Sequence, residues 1–209
     1  MLVWDHFPNF KTLQEQFPQI RTVLWDMDGT ILNTEGIHFK SIIELISPPK
    51  DHHVFKKFCH GKTDAEVLDQ ILSDNLSPAL TLQEFLSKKE QAFRVLIQKA
   101  QINEIIAPQI RDLIQKLHIH NYQQAIVTSS ERLTTQFLLD LVQIESHFDQ
   151  IITREDTIEN KPSAMPYRFA MEKLKTIPEQ VLIFEDSSVG IKAAKASGAH
   201  LVKAMWYEN

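Results

Sequence analysis

Three short apolar runs constrain this chain more than any other feature: Val23-Leu24-Trp25, Ala125-Ile126-Val127 and Val181-Leu182-Ile183-Phe184. None has a polar residue at alternate positions, and each stops abruptly at Asp26, Thr128 or Glu185. A strand with one wet face alternates, whereas an uninterrupted apolar run is buried on both faces. Between and after these runs lie helical patterns: Ile110 to Ile119, then Leu133, Phe137, Leu138 and Leu141, then Phe169, Ala170 and Leu174, then Val189 to Ala196. Phe148 to Thr153 and Leu201 to Ala204 read as two further strands, and Phe10, Leu13 and Phe17 as a short helix ahead of Pro18. Strands alternating with helices give a doubly wound α/β fold, a parallel sheet covered on both faces. Such sheets seat ligands at the carboxyl ends of their strands, which is where the polar stops fall.

The pattern is broken once. From Ile37 to about Ala107 there is no strand signal. Phe39, Ile42, Ile43 and Ile46 share a helical face before Pro48-Pro49, and Val54, Phe55 and Phe58 precede a stop at Gly61. Ala65 to Leu72 follows Thr63 or Asp64 as N-cap, and the longest helix starts at Thr81, with Leu82, Phe85, Leu86, Phe93, Leu96, Ile97 and Ala100 on one face. Thr81 and Glu84 match a capping box. The expected division is residues 1–35 and 108–209 as the α/β core, and 36–107 as an inserted all-helical cap.

Bulk properties exclude several functions. A formal charge of −5 disfavours nucleic acid and anionic membranes as partners. No stretch approaches the ~18 apolar residues of a membrane span. A lone cysteine, Cys59, leaves no internal disulfide, and the N-terminal residues lack a secretory pattern, so a cytoplasmic protein is expected. Nothing demands an assembly, and a monomer is expected.

Asp26 and Asp28 stand two apart at the end of the first apolar run, so in extended backbone both carboxylates face one space. Gly29 permits a sharp turn, and Thr30 adds a hydroxyl and a backbone N–H. A calcium loop counted from Asp26 fails, because Ile31 and Ile37 occupy the positions that require Gly and Glu. An ordinary Asp-Gly turn remains unless downstream residues complete a site. Thr128 with Glu131 fits a capping box, and a helix start there is a seat for phosphate. Lys161 offers a fixed positive charge in the loop before a helix. Glu185 and Asp186 end a third strand, where so many acids repel one another unless a cation sits among them. Oxygen ligands of this kind suit Mg²⁺.

The order Asp26-Met27-Asp28-Gly29-Thr30, Thr128, Lys161, then Glu185-Asp186 resembles the four motifs of the haloacid dehalogenase superfamily. Phe184-Glu185-Asp186-Ser187-Ser188-Val189-Gly190-Ile191-Lys192-Ala193-Ala194 is similar to the fourth motif of its β-phosphoglucomutase-like and phosphoglycolate phosphatase-like branch. The resemblance covers roughly residues 22–204 and implies a Rossmann-like core with a helical cap that closes over the site. It implies a phosphatase, a phosphoric monoester hydrolase, acting on a small phosphorylated metabolite. Asp26 is then the nucleophile that forms an aspartyl-phosphate, and Asp28 the general acid and base. Mg²⁺ is then held by the Asp26 and Asp186 carboxylates and the Asp28 carbonyl, with Glu185 a ligand or a neighbour of one. Thr128, Ser129 and Lys161 hold the phosphoryl oxygens.

Some positions depart from the family pattern: Asn33 replaces an aspartate, and Lys161-Pro162-Ser163-Ala164 lacks the usual second proline. The chain also ends soon after its last strand, which leaves a sheet edge thinly covered. Asp28 argues against dehalogenation, since a halide needs no proton. Two alternatives stay open: a phosphomutase that returns the phosphoryl group to a sugar, and an idle relative that binds a phosphorylated ligand or a protein. His38 matches a histidine near the cap hinge in the mutase, and is equally read as a histidine at a helix start. Gly61-Lys62-Thr63-Asp64 is similar to a cap loop of this branch, although a solvated Lys62 is the plainer reading. His52, His53, His60 and Cys59 match no zinc spacing, and His118 and His120 lie where a helix end favours cations.

Overall fold

The computed structural model describes residues 2–47, 49, 51–59 and 62–207. Pro48, His60 and Gly61, read above as a helix stop, a possible ligand and a loop glycine, lie outside the described residues. The strands are β1 (Leu2–Trp4), β2 (Thr22–Trp25), β3 (Gln123–Val127), β4 (Gln150–Ile152), β5 (Val181–Glu185) and β6 (His200–Ala204). The helices are α1 (Phe10–Gln16), α2 (Glu35–Ile43), α3 (His52–Cys59), α4 (Asp64–Ser73), α5 (Leu82–Lys99), α6 (Ile102–Ile105), α7 (Pro108–Ile119), α8 (Arg132–Val142), α9 (Met165–Leu174) and α10 (Ser188–Ser197). The chain forms two compact units, one of Met1–Asn33 with Ile102–Asn209 and one of Thr34–Gln101. Pro108 was the expected return to the α/β unit; α6 belongs to that unit too, with Ile105 buried and the helix packed on α8.

In the α/β unit the strand order is β1-β6-β5-β2-β3-β4 and every pairing is parallel. β2 lies inside the sheet, between β5 and β3; Thr22 at its start is buried, and the apolar Val23, Leu24 and Trp25 are fully buried. Each such side chain contributes about 1.5–3 kcal/mol on burial. One face of the sheet packs Leu24, Val127 and Ile183 against Tyr167, Ala170, Ala193 and Ala194 of α9 and α10. An aromatic group also lies on the sheet: Trp25 stacks on Phe184 at 4.6 Å, and Phe184 meets Trp4 and Trp206, each at 5.7 Å. Trp25 Nε1–H donates to the buried Gln124 Oε1 at 3.2 Å, and Gln124 Nε2 donates to the Ile114 carbonyl at 3.0 Å, so neither polar group is stranded.

Two expectations are corrected here. Residues 1–20 hold a strand as well as a helix. The strand is only Leu2–Trp4, with Leu2 and Val3 exposed, so neither periodicity nor burial marks it. It pairs with β6 and covers the edge that was expected to be thin. The residues after β6 also fold back rather than trail away: Trp206 Nε1–H donates to the Thr30 carbonyl at 2.9 Å and Tyr207 Oη–H to the Ile31 carbonyl at 3.1 Å.

The helical unit has its own core of Ile42, Phe55, Val67, Leu68, Ile71 and Phe85. Thr63 with Glu66 and Thr81 with Glu84 both form complete capping boxes. On α5 the buried stripe is Phe85, Phe93 and Ile97. Leu82 and Leu86, expected on the same face, are exposed, because the strip that reaches the core is narrower than the apolar pattern. His38 stacks on Phe93 at 4.1 Å, and Lys62 pairs with Glu66 at 2.8 Å, so both are engaged within this unit. Among the described residues no helix is long and apolar enough to cross a membrane.

Candidate active site

The polar residues that stop β2, β3 and β5 meet at one end of the sheet. The parallel register makes this so: Asp26 N–H bonds the Phe184 carbonyl at 3.0 Å and Thr128 N–H the Ile152 carbonyl at 2.9 Å. Asp26, Glu185 and Asp186 are all buried, and one oxygen from each lies within 4.8 Å of the others. Lys161, whose side chain is 3 % exposed, reaches Asp26 Oδ1 at 2.5 Å and Glu185 Oε1 at 2.9 Å. The Tyr167 ring lies 4.9 Å from the same ammonium.

The charges do not balance. Burial pushes the Asp26 carboxyl well above the usual carboxylate range; Lys161 opposes this, but Glu185 and Asp186 add to the rise. Burial works against the Lys161 ammonium too, yet the facing Asp26 and Glu185 carboxylates hold its pKa well above the lysine range. One ammonium against three carboxylates leaves negative charge that a hard cation would neutralise, and the donors are all oxygens. The group therefore fits a metal ion. Among the described residues it is the only such group, and His52, His53 and Cys59 form none.

Two glycines let the carboxylates approach. Gly29 has φ +81°, and a Cβ there would collide with the Asp186 carboxylate. A Cβ on Gly190 would fall on the Glu185 carboxylate. Between Asp26 and Leu32 the loop is wound around one acceptor: the Met27 carbonyl takes the N–H groups of Thr30, Ile31 and Leu32 at 3.3, 2.9 and 2.8 Å. Thr30 Oγ1–H then donates to Asp186 Oδ1 at 2.8 Å, which ties the β2 loop to the β5 end.

On the other side of Asp28 the loop after β3 differs from expectation. Thr128 is no helix cap; α8 begins at Arg132, and its N-cap residue, Glu131, makes no side-chain capping bond. Thr128 Oγ1 instead accepts from Ser130 N–H at 3.0 Å. Arg132 N–H at the helix start donates to the Glu155 carboxylate at 3.0 and 3.2 Å. The α8 terminus therefore already holds an anion of the chain's own, from the loop after β4. Ser129 is exposed. Ser130 Oγ–H donates to Asp28 Oδ2 at 2.7 Å.

The sequence matches the haloacid dehalogenase-like hydrolase family over residues 23–204. The chain belongs to that family. It is similar to the phosphorylated carbohydrates phosphatase of Thermotoga maritima, 26 % identical over 86 % of this chain and 82 % of the relative. It is similar also to pyrophosphatase PpaX of Oceanobacillus iheyensis, 27 % identical over 90 % and 84 %. Among solved structures, a CbbY variant from Rhodobacter sphaeroides in complex with xylulose-(1,5)bisphosphate superposes with a TM-score of 0.73, at 25 % identity, covering 90 % of this chain and 88 % of that one.

For a haloacid dehalogenase-like hydrolase, the structure brings together Asp26, Lys161 and Asp186 directly. Asp28 lies one hydrogen bond from Ser130, and Thr128 one bond further. Glu185, left open between ligand and neighbour, does two jobs: Oε1 accepts from Lys161, and Oε2 accepts from Ser187 N–H at 2.9 Å at the start of α10. Thr30, expected to set a hydroxyl beside the carboxylates, gives it to Asp186, whereas Ser130 was missed as a partner of Asp28. A hydroxyl three residues beyond the end of β3 is the only signal Ser130 leaves in the sequence.

Proposed function

We propose that the chain is a Mg²⁺-dependent phosphatase that cleaves a small phosphorylated metabolite, of the phosphorylated sugar class, through an aspartyl-phosphate. The observation that carries this is the buried Asp26, gripped by Lys161, beside two further carboxylates, with Asp28 two residues on. The name of the Thermotoga maritima relative supports the substrate class.

Asp26 attacks phosphorus, and the bond to the alkoxy leaving group breaks. Asp28 gives its proton to that oxygen, then takes one from the water that attacks the aspartyl-phosphate, so inorganic phosphate leaves and Asp26 is restored. Lys161, Thr128 and the Ser129 N–H hold the phosphoryl oxygens, spreading the charge that grows on them. The Asp26 and Asp186 carboxylates and the Asp28 carbonyl would hold Mg²⁺, which supplies charge neutralisation when bound. Thr30 fixes Asp186, and Glu185 fixes Lys161. The helical insertion between β2 and β3 is assigned as the cap, the source of substrate choice.

The test is phosphate release from a panel of sugar phosphates, with Mg²⁺ and with chelator, for the wild type and Asp26→Asn. Expected are metal-dependent release by the wild type and none by Asp26→Asn, with unchanged circular dichroism. Mg²⁺ at about 100 times its Kd should also stabilise the wild type by about 2.7 kcal/mol, and Asp186→Asn much less. Normal turnover by Asp26→Asn would overturn the assignment.

A further inference from the structure

We propose that Ser130 is a positioning residue for Asp28, serving proton delivery to the leaving oxygen rather than capture of the phosphoryl group. This rests on the phosphatase reading above. Ser130 has one hydroxyl proton, and the 2.7 Å bond gives it to Asp28 Oδ2. Given there, it is not available to a phosphoryl oxygen. The carbonyl oxygen of a carboxylic acid is the better acceptor, so the bond from Ser130 to Oδ2 favours the acidic proton of Asp28 on Oδ1.

The backbone around Ser130 is fixed on both sides. Its N–H is bonded to Thr128 Oγ1 at 3.0 Å, and its carbonyl accepts from Arg154 N–H at 3.2 Å. Two residues on, Arg132 N–H is held by Glu155, and the Arg132 guanidinium pairs with Asp156 at 2.5 Å. Asp156 in turn accepts from Thr153 N–H and Oγ1–H, each at 2.8 Å. The loops after β3 and β4 are thus clamped to one another, and the Ser130 hydroxyl is presented from a frame. Asp28 is only partly buried and sits in a loop next to a glycine, so a donor held in a frame restricts where its carboxyl points.

Such a role has a chemical signature. An alkyl phosphate expels a strongly basic alkoxide and needs the proton, whereas p-nitrophenyl phosphate expels a weakly basic phenolate and hardly does. The parameter to compare is kcat/KM, which reports steps through cleavage of the phosphate ester and not the later hydrolysis of the intermediate. For Ser130→Ala, kcat/KM on the best sugar phosphate should fall about ten- to hundredfold, the worth of one hydrogen bond to a charged group. On p-nitrophenyl phosphate it should stay within about threefold. Ser130→Thr keeps the hydroxyl and should restore most of the loss. Equal losses on both substrates would show that Ser130 holds the phosphoryl group or the loop, and no loss on either would show that it holds nothing of consequence; both overturn the proposal. A wild type that releases phosphate from neither substrate sinks the phosphatase reading instead.

Discussion

Gly190 lies in α10, where alanine would ordinarily be preferred by about 1 kcal/mol. The site reverses that preference. A Cβ at this position lands on the Glu185 carboxylate, which is fully buried and cannot turn aside without leaving its partners. Those partners are the Lys161 ammonium at 2.9 Å and Ser187, through N–H at 2.9 Å and Oγ–H at 3.1 Å. Moving α10 outward instead would open the packing of Ala193 and Ala194 on the sheet. Overpacking costs about 1–3 kcal/mol. Breaking one side of a buried ion pair costs about 3–5 kcal/mol. Because Lys161 keeps Asp26 as a partner, the lower half of that combined range applies. The two costs combine to about 4–8 kcal/mol, and with the helix gain taken from the lower half of that range Gly190→Ala should destabilise by about 3–5 kcal/mol. The assay is urea unfolding followed by circular dichroism, with Gly36→Ala as control. Gly36 is also helical, but nothing lies within 4 Å of the added methyl. That control should be neutral or stabilising by up to about 1 kcal/mol. A Gly190→Ala protein as stable as the wild type would refute the geometry of Glu185.

Two further outcomes concern groups away from the carboxylates. Trp206→Phe keeps a ring but removes the donor to the Thr30 carbonyl, and should cost about 1–3 kcal/mol in the same urea experiment; a change under about 0.5 kcal/mol would contradict the bond. Burial pushes the Cys59 thiol up to about 11, against the pull of the Lys89 ammonium. The thiolate is thus scarce at neutral pH and grows tenfold per pH unit. Iodoacetamide should therefore label the native protein at pH 8 roughly a hundredfold slower than free cysteine, the rate climbing until about pH 11. Labelling at the free rate at pH 8 would show an exposed thiol.

The sheet was legible because its central strands have no wet face, so Val23 to Trp25 and Val181 to Phe184 declare themselves without any partner. Asp26, Thr128 and Glu185 were legible for the same reason: each is the first polar group after such a run. What the sequence hides are the bonds between loops. Glu155 reaches the start of α8 from 23 residues away, and nothing in Thr128-Ser129-Ser130 says which hydroxyl turns toward Asp28. Capping signals misled in one place, since Thr128 and Glu131 fit a box that the chain does not form, whereas Thr63 and Thr81 form theirs. The cause is distance: α8 starts four residues after Thr128, beyond the reach of an N-cap side chain, which serves only the first turn. β1 was invisible because three residues are too few for a period, and its place in the sheet is set by β6, almost two hundred residues later.

The pairing order has a consequence for synthesis. β1 and β2 are made first, but neither bonds the other; their neighbours are β6, β5 and β3. No strand pair of the sheet can therefore register until β3, at Gln123–Val127, has left the ribosome. By then the whole Thr34–Gln101 unit, with its own core and two capped helices, has already emerged. The insertion is thus free to fold while its host is still two solitary strands, and β1 gains its partner only once β6 has been made.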